Sequence, residues 1–172
     1  MTVPHVPILS PDQLPISLGT HLDGRSKTVV SDLINPHGFV VFRGYGVRSD
    51  QEFHDFIECF DLPNFTYAES FSNAVRRNRT PRVFTANEAP PEIEIFLHHE
   101  MAQTLVFPGQ LFFFCEQAPT EGGATPIGRS DLALVAIEKA RPNFVAKLRN
   151  LGVRYRNACL LYTSDAADDD VR

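Results

Sequence analysis

Short unbroken runs of apolar side chains, set between glycines, prolines and charged turns, dominate the middle of the chain. Phe39-Val40-Val41-Phe42 lies between Gly38 and Gly44. A continuous apolar run of that length reads as a buried strand. Leu111 to Cys115, after the Pro108-Gly109 turn, is a second candidate. Shorter candidates are Arg82 to Thr85, Ile93 to Leu97 beyond Pro90-Pro91, Ala124 to Ile127 after Gly122-Gly123, and Leu151 to Tyr155. Phe112, Phe113 and Phe114 are expected in the core, because aromatic side chains favour strands.

Helical spacing lies at the flanks. Residues 26–35 place Val29, Val30, Leu33 and Ile34 on one side, and Pro36-His37-Gly38 is expected to break that helix. Ser49 or Asp50 can cap a second helix over 51–60, with Phe53, Phe56, Ile57 and Phe60 at helical intervals. Residues 131–150 read as helical with a break near Pro142. Residues 1–24 are expected to wrap the surface, and 61–81 to form a long loop of the kind that borders sites. Strands in the middle and helices outside predict an α+β, mainly β chain, an antiparallel sheet core with helices packed on it. No internal repeat is visible.

Composition narrows the class. A 172-residue chain with 43% hydrophobic and 22% charged residues is ordinary for one soluble globular domain. The formal net charge is −5, and Asp165, Asp168, Asp169 and Asp170 concentrate much of it near the end. The body is nearly neutral, with no basic stripe for nucleic acid. Arg76, Arg77 and Arg79 read as a solvated loop cluster. Cys59, Cys115 and Cys159 fit neither a zinc-pair spacing nor a disulfide framework, which points to a reducing compartment. The start lacks a basic, long-apolar leader, and no run spans a membrane, so a cytoplasmic location is expected.

Leu97-His98-His99-Glu100-Met101 carries the candidate chemistry. On an extended strand, residues two apart share a face, so His98 and Glu100 would project together and His99 away. An imidazole nitrogen and a carboxylate oxygen are two legs of a facial triad for Fe(II). Taken alone, the triplet is weak evidence for a metal, and a simple hydrogen-bonded His–carboxylate pair is the more common reading. Glu94 reads as an exposed strand residue, and His99 as a packing residue or a support for the metal ligands. His5, His21, His37 and His54 read as structural or surface.

Four segments occur in order: Gly38 to Gly44, Ile95 to Met101, Phe112 to Cys115, and Gly122-Gly123-Ala124-Thr125-Pro126-Ile127. Over about residues 25–158, this set resembles the taurine-dioxygenase (TauD/TfdA) family, in its His-x-Glu branch. The resemblance implies a double-stranded β-helix, or jelly roll, with flanking helices. It implies Fe(II) held by His98 and Glu100, and 2-oxoglutarate as co-substrate with Thr125 at one of its carboxylates. The implied reaction hydroxylates a small molecule, such as an amino acid or carrier-bound amino acid, with release of succinate and CO2.

The family also uses a distal His and an Arg, and no His follows His99. Residues 1–158 therefore read as the N-terminal part of one jelly-roll domain, incomplete at its C-terminus. Residues 159–172, beginning Cys159-Leu160-Leu161-Tyr162, resemble translated sequencing adapter or a disordered acidic tail. Two ligands and an open barrel would leave the polypeptide as written poorly stable and inactive. Two alternatives stay open: a non-catalytic jelly-roll binding module, and a cupin-like metal enzyme that does not use 2-oxoglutarate. Thr125 argues against the latter.

Overall fold

The computed structural model describes residues 6–65, 76–86, 92, 94–102 and 104–156. The chain divides into two compact units, 1–129 and 130–172.

In the first unit, the N-terminal segment is not a surface wrap. Its Ile8–Leu9 strand, β1, pairs in parallel with β2, Val41–Phe42, matching Ile8 to Val41 and Leu9 to Phe42. Pro7, Leu9, Leu14 and Leu22 are buried. This proline- and leucine-rich stretch supplies apolar surface that the core uses, and its turn residues only set the path.

Helix α1 runs Gly24–His37. Asp23 caps it by accepting from the Ser26 N–H at 2.7 Å. That hydrogen bond lowers the Asp23 pKa. Pro36 does not break the helix. It sits one residue from the end, where its ring costs only a last-turn hydrogen bond. Gly38 makes the stop instead, at φ +80°, with its N–H on the Ile34 carbonyl at 2.6 Å. Val30 is buried, and Val29, Leu33 and Ile34 pack partly buried against the same core.

Helix α2 runs Asp50–Glu58, with Ser49 as its cap. Ser49 Oγ accepts from the Glu52 N–H at 3.2 Å, while the Glu52 carboxylate accepts from the Arg48 N–H at 2.7 Å. Phe56, Ile57 and Phe60 are buried as their spacing predicts. Phe42, Tyr45, Phe56 and Phe60 meet edge-on or tilted, with centroids 5.3–5.7 Å apart. Phe112 joins at 5.0 Å from Phe60. Such geometries suit the ring quadrupoles.

The predicted antiparallel sheet core differs from what is observed. Among the described residues, β1 and β2 form the sheet, and Asn78↔Phe84 is an isolated antiparallel bridge. The other predicted strands, including 111–115, 124–127 and 151–155, carry no ladder, and there is no closed barrel among the described residues. A strand exists through a partner, and apolar content alone does not provide one. Phe112 and Phe114 turn inward, with Phe114 stacked on Phe53 at 5.2 Å, whereas Phe113 is 74% exposed. The run therefore alternates, and Phe113 is not a core residue here.

In the second unit, α3 (Ser130–Ala140) and α4 (Pro142–Leu151) pack together. Pro142 begins α4 at its first turn, where a missing N–H costs little. Arg149 pairs with Glu138 at 2.9 Å. Leu151 closes α4 and starts no strand. Residues 157–172, which include the whole of the expected tail at 159–172, lie outside the described residues.

Candidate metal centre

Residues 94–99 run without helix or ladder, and a turn begins at Glu100. The Ala102 N–H bonds the His99 carbonyl at 3.4 Å, and the Thr104 N–H bonds the Met101 carbonyl at 3.0 Å. Met101 takes a left-handed φ of +57° and is buried. Buried contact offsets the strain of that conformation. The segment is thus not the regular strand that would place His98 and Glu100 on one face.

His98 is exposed, and its Nδ1 lies 2.7 Å from the Phe96 carbonyl oxygen. A carbonyl can only accept, so the contact places a proton on Nδ1, and in the neutral ring Nε2 is then the nitrogen with the lone pair. That is the arrangement of a metal-binding histidine whose other nitrogen is held by the backbone. Glu100 is shielded, with its side chain 13% exposed, and its Oε1 meets Arg76 Nη2 at 3.0 Å. His99 is exposed, and so is Glu94.

Arg76 and Arg79 are not a loosely solvated cluster. A small turn over 77–85 carries Arg79 and directly follows Arg76: Thr85 N–H donates to the Arg77 carbonyl at 2.9 Å, and Arg79 N–H to the Val83 carbonyl at 2.8 Å. Arg79 pairs with Asp50 on α2 at 2.7 Å, which raises the arginine pKa. Arg82 pairs with Glu58 and donates to the Leu62 carbonyl at 2.8 Å. His54 Nδ1 lies 2.9 Å from Thr80 Oγ1, a structural role.

Thr125 is exposed, beyond a turn in which Gly122 and Gly123 take φ +67° and +69°. A Cβ on Gly123 would collide with the Pro119 ring, so the turn requires glycine there. Gly128 lies against Leu97, with room for a Cβ only at 3.0 Å, so the Thr125 segment passes beside the His98 segment.

The donor set suits a hard or borderline cation in part. His98 supplies one imidazole and Glu100 one carboxylate, the two candidate donor types. Among the described residues, no three His, Cys, Asp or Glu side chains gather as a metal group. Also among them, no helix is long and apolar enough to cross a membrane.

A family profile described as taurine catabolism dioxygenase TauD, TfdA family matches residues 6–164. The chain belongs to the TauD/TfdA family. The match is wider at both ends than the four motif segments. A clavaminate synthase-like protein of Arabidopsis thaliana is 39% identical over 142 residues, 83% of this chain and 42% of the relative. The dapdiamide synthesis protein DdaC of Enterobacter agglomerans is 29% identical over 153 residues, 88% of this chain and 44% of the relative. The chain therefore spans less than half the length of these TauD/TfdA relatives.

Proposed function

We propose that this TauD/TfdA chain carries part of an iron- and 2-oxoglutarate-dependent oxygenase that hydroxylates a small molecule on a jelly-roll scaffold. The observation that supports the reading is the 2.7 Å contact of His98 Nδ1 with the Phe96 carbonyl, which turns Nε2 of the neutral ring outward as the ligating nitrogen, two residues from a shielded carboxylate. His98 and Glu100 would hold the iron. When bound, iron supplies the redox chemistry that couples 2-oxoglutarate decarboxylation to oxidation of a C–H bond.

The chain's own contributions are binding and orientation. The Phe96 carbonyl fixes the imidazole ring. Glu100 contributes negative charge that offsets the cation. The Thr125 hydroxyl would donate to a 2-oxoglutarate carboxylate, an acceptor-rich group that needs donors. An amino acid or carrier-bound amino acid is the proposed substrate class.

The test is anaerobic calorimetry with Fe(II), then with 2-oxoglutarate. The expected result is iron binding that His98→Ala and Glu100→Ala each weaken, and 2-oxoglutarate binding that depends on iron and weakens in Thr125→Val. Binding unchanged by all three substitutions would sink the reading in favour of a module without a metal site.

A further inference from the structure

The nearly neutral body of the chain hides a segregation of charge. Residues 141–156 hold five cations, Arg141, Lys147, Arg149, Arg154 and Arg156, and no carboxylate. In a chain of net charge −5, everything outside that segment therefore stands at −10. All five cations are exposed, on α4, its first cap and the extended residues after it. Arg149 is engaged by Glu138 on α3. Helical spacing puts Phe144, Lys147 and Leu151 on one face of α4, three and four residues apart. Phe144 is 54% exposed and Leu151 82%, whereas the buried residue of the helix, Val145, lies on a different side. Gly152 ends the helix at φ +71°, and Val153 and Tyr155 continue the exposed apolar surface between the last two arginines.

We propose that residues 141–156 are a docking surface for an anionic lipid bilayer, with α4 lying in the headgroup layer. Phe144 and Leu151 enter the acyl boundary, and Lys147, Arg154 and Arg156 meet the lipid phosphates. A ten-residue helix is too short to span a bilayer, so it lies on one. Lys147 selects lipid over a protein groove, because it stands between two apolar side chains on their own face. In a groove its ammonium would lose water together with its neighbours, a large cost unless it is paired. At a bilayer its stem lies with the apolar residues while the ammonium reaches the phosphates. A nucleic acid would satisfy the cations and leave Leu151 in water. The acidic remainder of the chain is repelled by the same lipid surface, which leaves this segment to face it. The inference is independent of the iron reading, since it shares no residue with that site.

The experiment is sedimentation of the full chain with vesicles of phosphatidylcholine alone, and of phosphatidylcholine with about 30 mol% phosphatidylserine. The expected result is binding to the anionic vesicles only, released at about 1 M NaCl, where charges are screened beyond ~3 Å. Lys147→Gln, Arg154→Gln and Arg156→Gln together are expected to weaken binding about 100-fold, since each cation near the surface contributes a factor of about five. Phe144→Ser with Leu151→Ser is expected to weaken it about 10-fold or more, through lost apolar burial. All five positions are exposed, so neither variant removes a buried contact, and circular dichroism checks that the helices persist. In the wild type, amide exchange over 143–156 is expected to slow on anionic vesicles, a measurement that needs no variant to fold.

Equal binding to neutral and anionic vesicles shows that the cations play no part and overturns the proposal. Wild-type affinity in either variant overturns it as well, as does unchanged exchange over 143–156 on vesicles that do bind. Binding to polyglutamate or duplex DNA without binding to anionic vesicles assigns the surface to an acidic polymer instead, and binding to none of these leaves it no anionic partner; both overturn the lipid assignment.

Discussion

The Tyr45 hydroxyl donates to the Leu14 backbone carbonyl at 2.8 Å, tying the loop after β2 to the segment after β1. The bond is partly buried, and burial raises the Tyr45 pKa. Tyr45→Phe keeps the ring in its aromatic cluster and removes only the donor. It is expected to cost about 1 kcal/mol in urea unfolding, the net value of such a bond plus the carbonyl it strands. The pH sign follows from the raised pKa. The contribution is fully present below the unfolded tyrosine value near pH ~10 and is lost as pH rises through the higher folded value. An alkaline loss of stability of the same size in Tyr45→Phe would show that another group is responsible.

Phe56 and Phe113 separate core from surface among the phenylalanines. Phe56 is 5% exposed and touches three aromatic neighbours, whereas Phe113 is 74% exposed. Phe56→Ala is expected to cost about 3–5 kcal/mol, from lost transfer energy plus a cavity. Phe113→Ser is expected to change stability by less than about 0.5 kcal/mol, as at other exposed positions. Equal losses in denaturant unfolding would mean that Phe113 is covered in solution.

The helices were legible because a helix is a local object. The cap at Ser49, the break at Pro142, and the Phe56-Ile57-Phe60 stripe all follow from residues within a few positions of one another, whereas the Asp23 cap, which starts α1 at Gly24, was not read. The strand candidates were less legible, because a ladder depends on a distant partner that an apolar run does not name. β1 shows the reverse failure: Ile8–Leu9 looks like loop and becomes a strand because Val41–Phe42 lies beside it. At the candidate site, His98 and Glu100 stood out as residue types at a spacing. The ion pair of Arg76 with Glu100 did not, since it depends on a fold that brings together residues 24 positions apart.

Cys59 and Cys115 should differ sharply toward alkylation. Cys59 is fully buried, with Sγ 3.2 Å from the Asp55 carbonyl, and Cys115 is exposed. Iodoacetamide should modify Cys115 in the native state and Cys59 only once the aromatic core opens. Peptide mass spectrometry after a short native pulse reads this directly. Native labelling of Cys59 at the rate of Cys115 would contradict the packing of α2.

Thr80 organises the turn that directly follows Arg76. Its Oγ1 accepts from the Arg82 N–H at 3.2 Å and the Val83 N–H at 3.1 Å, and lies 2.9 Å from His54 Nδ1. A hydroxyl has two lone pairs and one proton, so with both lone pairs taken it donates to Nδ1. The network thus places the His54 proton on Nε2, which faces Glu58 Oε1 at 3.8 Å. Thr80→Val keeps the shape and removes every one of these partners. It is expected to cost about 1–3 kcal/mol, since partly buried donors and an acceptor are left without hydrogen bonds. Nothing in the change touches Arg76 or Glu100 directly. If the turn orients Arg76, the Thr80→Val protein should also show faster exchange of the Arg76 side-chain N–H at neutral pH while α1 and α2 keep their amide protection. Exchange at the wild-type rate in a destabilised Thr80→Val protein would show that Arg76 is not held through the Thr80 network.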